Sequence, residues 1–106
     1  MEDWRQALDK FVAELRALYG ERLRQVMLYG SRARGDAEPS SDIDTLVVLN
    51  SLSDFWTEFA RISPIASRIS LEFDLVISAL PIAAEQYDKA ETPLLMNTHR
   101  EGVLVK

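Results

Sequence analysis

Three places in the chain hold residue types that can do chemistry on a phosphate. Asp42-Ile43-Asp44 opens a β-forming run, Gly30-Ser31 closes an earlier apolar run, and Asp74 lies inside the apolar stretch Leu71–Ile77. In a strand, residues two apart share a face. Asp42 and Asp44 are therefore expected to project together, with Ile43 and Thr45 turned the other way. Two carboxylates that close repel each other unless a cation sits between them. Mg2+ takes oxygen ligands, commonly one or two protein carboxylates plus substrate phosphates. An Asp-x-Asp pair can serve two such ions about 3.5–4 Å apart, and Mn2+ accepts the same oxygen set.

Asp74 is costly to bury without a partner. Placed in a third strand over Leu71–Ile77 beside the second, it is expected to join Asp42 and Asp44 at the metal. There it would help take a proton from an attacking hydroxyl. Gly30 allows a tight turn and a close backbone approach to a triphosphate. Ser31 offers a hydroxyl and an amide, and a helical turn over Ser31–Arg34 would turn further N–H groups toward an anion. Arg32 and Arg34 carry guanidinium forks that match phosphate oxygens. Each feature has a bland alternative: a Gly-Ser is usually a turn, an Asp-x-Asp a solvated pair, a strand Asp an edge residue, a loop arginine a solvated charge. Their combination in this order gives them weight.

The elements that must position these residues follow from periodicity. Trp4, Leu8, Phe11, Val12, Leu15, Leu18, Tyr19 and Leu23 recur at spacings of three and four, a helix stopped near Gly20. Val26–Tyr29 reads as a buried strand, residues 31–41 as a polar loop holding a helical turn, and Ile43–Leu49 as a second strand. Ser53 or Asp54 is expected to cap a helix carrying Phe55, Trp56, Phe59 and Ile62, broken or restarted at Pro64. After the third strand, Pro81 is expected to open a helix over 81–90, and Thr92-Pro93 a shorter one ending near Gly102. Val103–Val105 reads as a short last strand, able to pair with a second copy. The order is α-β-β-α-β-α-α-β. The expected fold class is α/β (α+β), a small mixed β-sheet flanked by helices.

Composition sets outer limits. With 106 residues the chain fits one domain, 1–106, and 47% hydrophobic residues with 27% charged ones suit a folded core. There is no cysteine, hence no disulfide framework or thiolate zinc site. The acidic start Met1-Glu2-Asp3-Trp4 is unlike a secretory leader, and no apolar run reaches the roughly 18 residues a membrane span needs. A cytoplasmic location without membrane contact is expected. The net charge of −5 argues against gripping long nucleic acid directly, though not against a nucleotide whose charge is met by metal ions.

Other residues have ordinary explanations. His99, the single histidine, is expected at the surface or in packing. Trp56 with Phe55 and Phe59 is expected in the core, Tyr19, Tyr29 and Tyr87 in core or interface, and Glu72 in a salt bridge or in solvent.

Leu28-Tyr29-Gly30-Ser31-Arg32-Ala33-Arg34-Gly35, followed by Ser41-Asp42-Ile43-Asp44-Thr45-Leu46-Val47-Val48, closely resembles the signature of the DNA polymerase beta-like nucleotidyltransferases, above all the minimal nucleotidyltransferases of bacteria and archaea. The motifs cover about residues 24–78. The resemblance implies the nucleotidyltransferase fold, with Gly30, Ser31, Arg32 and Arg34 on the nucleotide, Asp42 and Asp44 on metal, and Asp74 as third carboxylate. It implies Mg2+, two ions, and ATP as donor. Larger members append a helical acceptor-binding domain; here the acceptor site is expected to be completed by another chain, a second copy or a different protein. Minimal members often pair with small helical HEPN-class toxins, which they adenylylate as antitoxins. Two alternatives stay open: transfer to a small molecule such as an aminoglycoside, and a module that neutralises a partner by contact without catalysis.

Overall fold

In the computed structural model residues 4–105 are described; the acidic start at Met1–Asp3 and the closing Lys106 lie outside them. Helix α1 (Trp4–Tyr19) buries Leu8, Phe11, Val12, Leu15 and Tyr19 of the expected stripe together with Ala7, while Leu18 is exposed, and a 3-10 turn at Gly20–Arg22 follows. Strand β1 (Leu23–Tyr29) leads through Gly30 into α2 (Ser31–Arg34), and a loop leads into β2 (Ile43–Leu49). Helix α3 (Phe55–Phe73) is capped by Asp54, whose side chain accepts from the Trp56 amide. Then come β3 (Ile77–Ala83), α4 (Ala84–Lys89), α5 (Pro93–Glu101) and β4 (Val103–Leu104).

The sheet order is β3-β2-β1-β4. β1 runs antiparallel to β2 and β4, while β2 and β3 are parallel. Parallel neighbours need a crossover, and α3 provides it. Residues of β2 alternate between two cores. Ile43, Val47 and Leu49 pack with α1 and α3. Leu46 and Val48 pack on the other face with Ala84 and Tyr87 of α4 and Leu95 of α5. The sheet thus lies between two helical layers, and its central strand is fixed from both sides.

Four sequence expectations are corrected. Pro64 does not break its helix: α3 runs on through it to Phe73. Ile62, Ala66, Ile69 and Phe73 continue one packed stripe across the proline, and that burial outweighs a local cost of about 3 kcal/mol. The third strand is consequently not Leu71–Ile77 but Ile77–Ala83, and Pro81 lies in it instead of opening a helix. β3 is an edge strand, where a missing N–H is tolerated. Trp56 is not in the core: it is 70% exposed, and with Phe55 and Phe59 it forms an aromatic cluster on the outer side of α3.

Candidate active site

The site forms where β1 ends and β2 begins. The antiparallel register sets Tyr29 opposite Asp44, and the parallel register sets Ser78 beside Asp44 on the other side. Asp42 is exposed just before β2, while Asp44, one pleat on, is half-buried. Burial first and the charge of Asp42 second hold the Asp44 carboxyl above its ordinary value. The structure therefore brings Asp42 and Asp44 together as a repelling pair. Tyr29 feels the same field: burial and then Asp44 push its phenol up.

Gly30 turns the chain out of β1 with φ 78°, in the left-handed region that favours glycine. Any side chain there would collide with the site, because a Cβ would lie 2.6 Å from Asp44 Oδ2. The backbone of the Gly-Ser turn thus passes directly against the carboxylate. α2 starts at Ser31; the Ala33 and Arg34 amides return to the Gly30 carbonyl, and the amides before them have no helical acceptor by geometry.

The arginines of α2 do not extend freely. Arg32 Nη2 donates to the carbonyls of Pro39 and Ser41 at 3.2 and 3.0 Å, and its Cζ stands 4.9 Å over the Trp4 ring. Arg34 pairs with Asp36 at 3.2 Å and Glu101 at 3.6 Å. Both guanidinium groups are engaged by protein partners, and that of Arg34 stays half exposed.

Asp74 lies at the end of α3, outside β3, instead of within a strand beside Asp44. It caps the C-terminus of α3 in a left-handed conformation, φ 55°, with its N–H bonded to the Ser70 carbonyl. It precedes by four residues Ser78, the β3 residue that lies beside Asp44. It lines a shallow depression with Pro39, Ser40, Ser67, Ser70 and Leu71. Among the described residues no three metal-ligating side chains converge.

Two residues that the sequence did not assign to the site flank Asp44. Tyr29 and Ser78 line a cavity of about 360 Å³ with Phe59, Ile62, Ala66 and Leu80, open along the edge of β3. Their place depends on strand register, which no local spacing encodes. Glu72 pairs with Lys10 at 2.7 Å, and His99 stacks on Tyr87 with Nε2 2.7 Å from the Tyr87 carbonyl oxygen.

The residues present fit a hard divalent cation. The pair offers oxygen donors alone, and its mutual repulsion and burial are what a cation offsets. Two protein carboxylates are also the usual share for Mg2+ bound together with substrate phosphates.

Comparison with known proteins agrees with this geometry. The nucleotidyltransferase domain family matches residues 8–103. A Methanocaldococcus jannaschii relative, named as a candidate protein adenylyltransferase, is 33% identical over 75 residues, 71% of this chain and 75% of its own. Two solved structures share the fold. A candidate nucleotidyltransferase from Sulfolobus solfataricus has a TM-score of 0.67 at 21% identity, over 93% of this chain and 76% of that one. A toxin–antitoxin complex with AMP-PNP has a TM-score of 0.64 at 19% identity, over 91% and 70%. A family match across nearly the whole chain, over the Gly-Ser turn and the Asp-x-Asp pair, establishes that the chain belongs to the nucleotidyltransferase domain family.

Proposed function

We propose that this nucleotidyltransferase moves AMP from ATP to a hydroxyl of a protein acceptor, the acceptor oxygen joining the α-phosphorus as pyrophosphate and the hydroxyl proton leave, using Mg2+ held by Asp42 and Asp44. The observation that carries the proposal is the close approach of the Gly30 backbone to the Asp44 carboxylate, with Asp42 beside it. A triphosphate seated on the Gly30-Ser31 turn would meet the metal-binding pair without any side chain between them. Bound there, Mg2+ supplies positive charge to the phosphates and makes the acceptor hydroxyl more acidic. The chain's own residues orient the phosphates through the Gly30-Ser31 turn and hold the carboxylates one pleat apart. Tyr29 walls the site on one side and Ser78 on the other.

Protein as acceptor is supported by the relative named for protein adenylyltransfer. ATP as donor is supported by the AMP-PNP in a complex of the same fold, and that complex is a toxin with its antitoxin. In the cell the chain would act as an antitoxin that modifies a small helical toxin, of the HEPN class implied by the sequence resemblance. The test is incubation with α-labelled ATP, Mg2+ and a lysate of the host, followed by a search for a labelled protein band. A band lost with Asp42→Asn and with chelator is expected. No band from any of the four triphosphates, with the protein folded, would overturn transfer to a protein and favour neutralisation by contact.

A further inference from the structure

Arg32 belongs by sequence to the phosphate turn, yet its guanidinium is spent on the loop that delivers Asp42. Asp42 lies between two peptide planes, each with one hydrogen bond that fixes it. The carbonyl of the 41–42 peptide, Ser41 O, accepts from Arg32 Nη2 at 3.0 Å. The N–H of the 42–43 peptide, Ile43 N, donates to Val76 O at 2.8 Å. Peptides are planar, so holding both planes restricts the backbone angles of Asp42 and hence the direction of its side chain. The second bond from Nη2, to Pro39 O at 3.2 Å, ties down the preceding turn. That turn is closed by the Ser41 amide on Glu38 O and the Glu38 amide on Ser41 Oγ.

The guanidinium is itself held. The Trp4 ring lies under it, and its Nε is buried without a hydrogen-bond partner. Leaving a buried donor unmet is costly. That cost is tolerated at a side chain whose Nη2 holds two loop carbonyls.

We propose that Arg32 is a positioning residue for the metal site: it fixes Asp42 relative to Asp44, and so sets metal affinity, without touching nucleotide. This rests on the reading of Asp42 and Asp44 as metal-binding carboxylates. Side chains that orient metal ligands commonly change affinity 10–100-fold when removed.

The test measures Mn2+ binding to the purified protein by electron paramagnetic resonance with no nucleotide present. ATP-analogue affinity and thermal unfolding are recorded alongside. Arg32→Met keeps an apolar stem against Trp4 and removes every donor. It is expected to weaken Mn2+ binding about tenfold or more at a temperature where circular dichroism shows it folded. Arg32→Lys, whose ammonium can give both hydrogen bonds, is expected to recover most of that loss. Mn2+ affinity equal to the parent in Arg32→Met, with weaker binding of the ATP analogue, would make Arg32 a direct phosphate ligand and overturn the proposal. So would equal losses in the Met and Lys variants. If Arg32→Met does not fold, Arg32→Gln is judged by the same criterion. Asp42→Asn separates the two levels: if it too leaves Mn2+ affinity unchanged, the metal site itself is wrong. If it weakens Mn2+ while Arg32→Met does not, only the role of Arg32 fails.

Discussion

Gly30 lies in the turn after β1 and Asp44 in β2, yet a Cβ on Gly30 would lie 2.6 Å from Asp44 Oδ2. Glycine is required there twice, for its φ of 78° and for the room the carboxylate takes. Gly30→Ala is expected to cost about 1–3 kcal/mol through backbone strain and to push Asp44 from its place. Nucleotide transfer should fall about a hundredfold, since displacement of reacting groups by an ångström has that effect. Thermal unfolding and transfer assays on the same preparation check both; wild-type activity would show that the approach is not needed.

The Asp42 and Asp44 pair makes a paired prediction about stability and activity. Burial and the neighbouring charge disfavour ionised Asp44, so Asp44→Asn should melt higher than the parent when metal is absent. Saturating Mg2+ and ATP should stabilise the parent and not the variant, reversing the order. Transfer should fall about a thousandfold, the rate equivalent of losing several kcal/mol of charge stabilisation. Differential scanning fluorimetry with and without Mg2+ reads the reversal; parallel shifts in both proteins would count against metal at this pair.

The legible part of the site is its local part. Gly30-Ser31 and Asp42-x-Asp44 could be read because turn chemistry and the period-two alternation of a strand are written within a few residues. The two cores on either side of β2 follow from the same alternation. Asp74 misled because Phe73-Asp74-Leu75-Val76-Ile77 has the composition of a strand. Ile62, Ala66, Ile69 and Phe73 instead carry a helical period through Pro64, at spacings of four, three and four. Tertiary burial decided between two local patterns. The neighbours of Asp44, Tyr29 and Ser78, depend on pairing register across sequence separations of 15 and 34 residues. No motif carries that.

Asp74 can be tested through its backbone. It holds a left-handed conformation at the end of α3, where Asp and Asn are tolerated and alanine is strained by about 1–2 kcal/mol. Asp74→Asn keeps the cap and removes the charge. It is expected to keep transfer activity within about threefold and stability near the parent, while Asp74→Ala loses stability without losing activity when folded. A loss of a hundredfold or more in Asp74→Asn, with unchanged melting, would return Asp74 to the catalytic set.

Glu58, at the opposite end of the sheet from Asp42, is 5% exposed and makes the fold's most deeply buried charge network among the described residues. Tyr19 Oη donates to its Oε1 at 2.8 Å, Arg22 Nη2 to its Oε2 at 3.0 Å, and Arg61 Nη1 lies 3.4 Å from Oε1. Burial would raise the carboxyl, but the hydrogen bonds from Tyr19 and Arg22, with the charges of Arg22 and Arg61, outweigh it and hold it below its ordinary 4.5. A carboxyl lowered on folding contributes stability that is present above 4.5 and is lost as pH falls through the lower folded value. Tyr19 is opposite in sign: burial first, then Glu58, raise its phenol above the ordinary 10.0, so its contribution is present below pH 10 and fades as pH rises beyond it. Glu58→Gln should cost about 2 kcal/mol at pH 7, the range for losing a buried charged hydrogen-bond acceptor. That difference should shrink below pH 4.5. Tyr19→Phe should cost about 1 kcal/mol at neutral pH, with a gap that narrows only above pH 10. Urea unfolding at pH 3.5, 7 and 10.5 measures all three; a Glu58→Gln deficit that stays constant down to pH 3.5 would mean that the carboxylate's charge does not hold the network together.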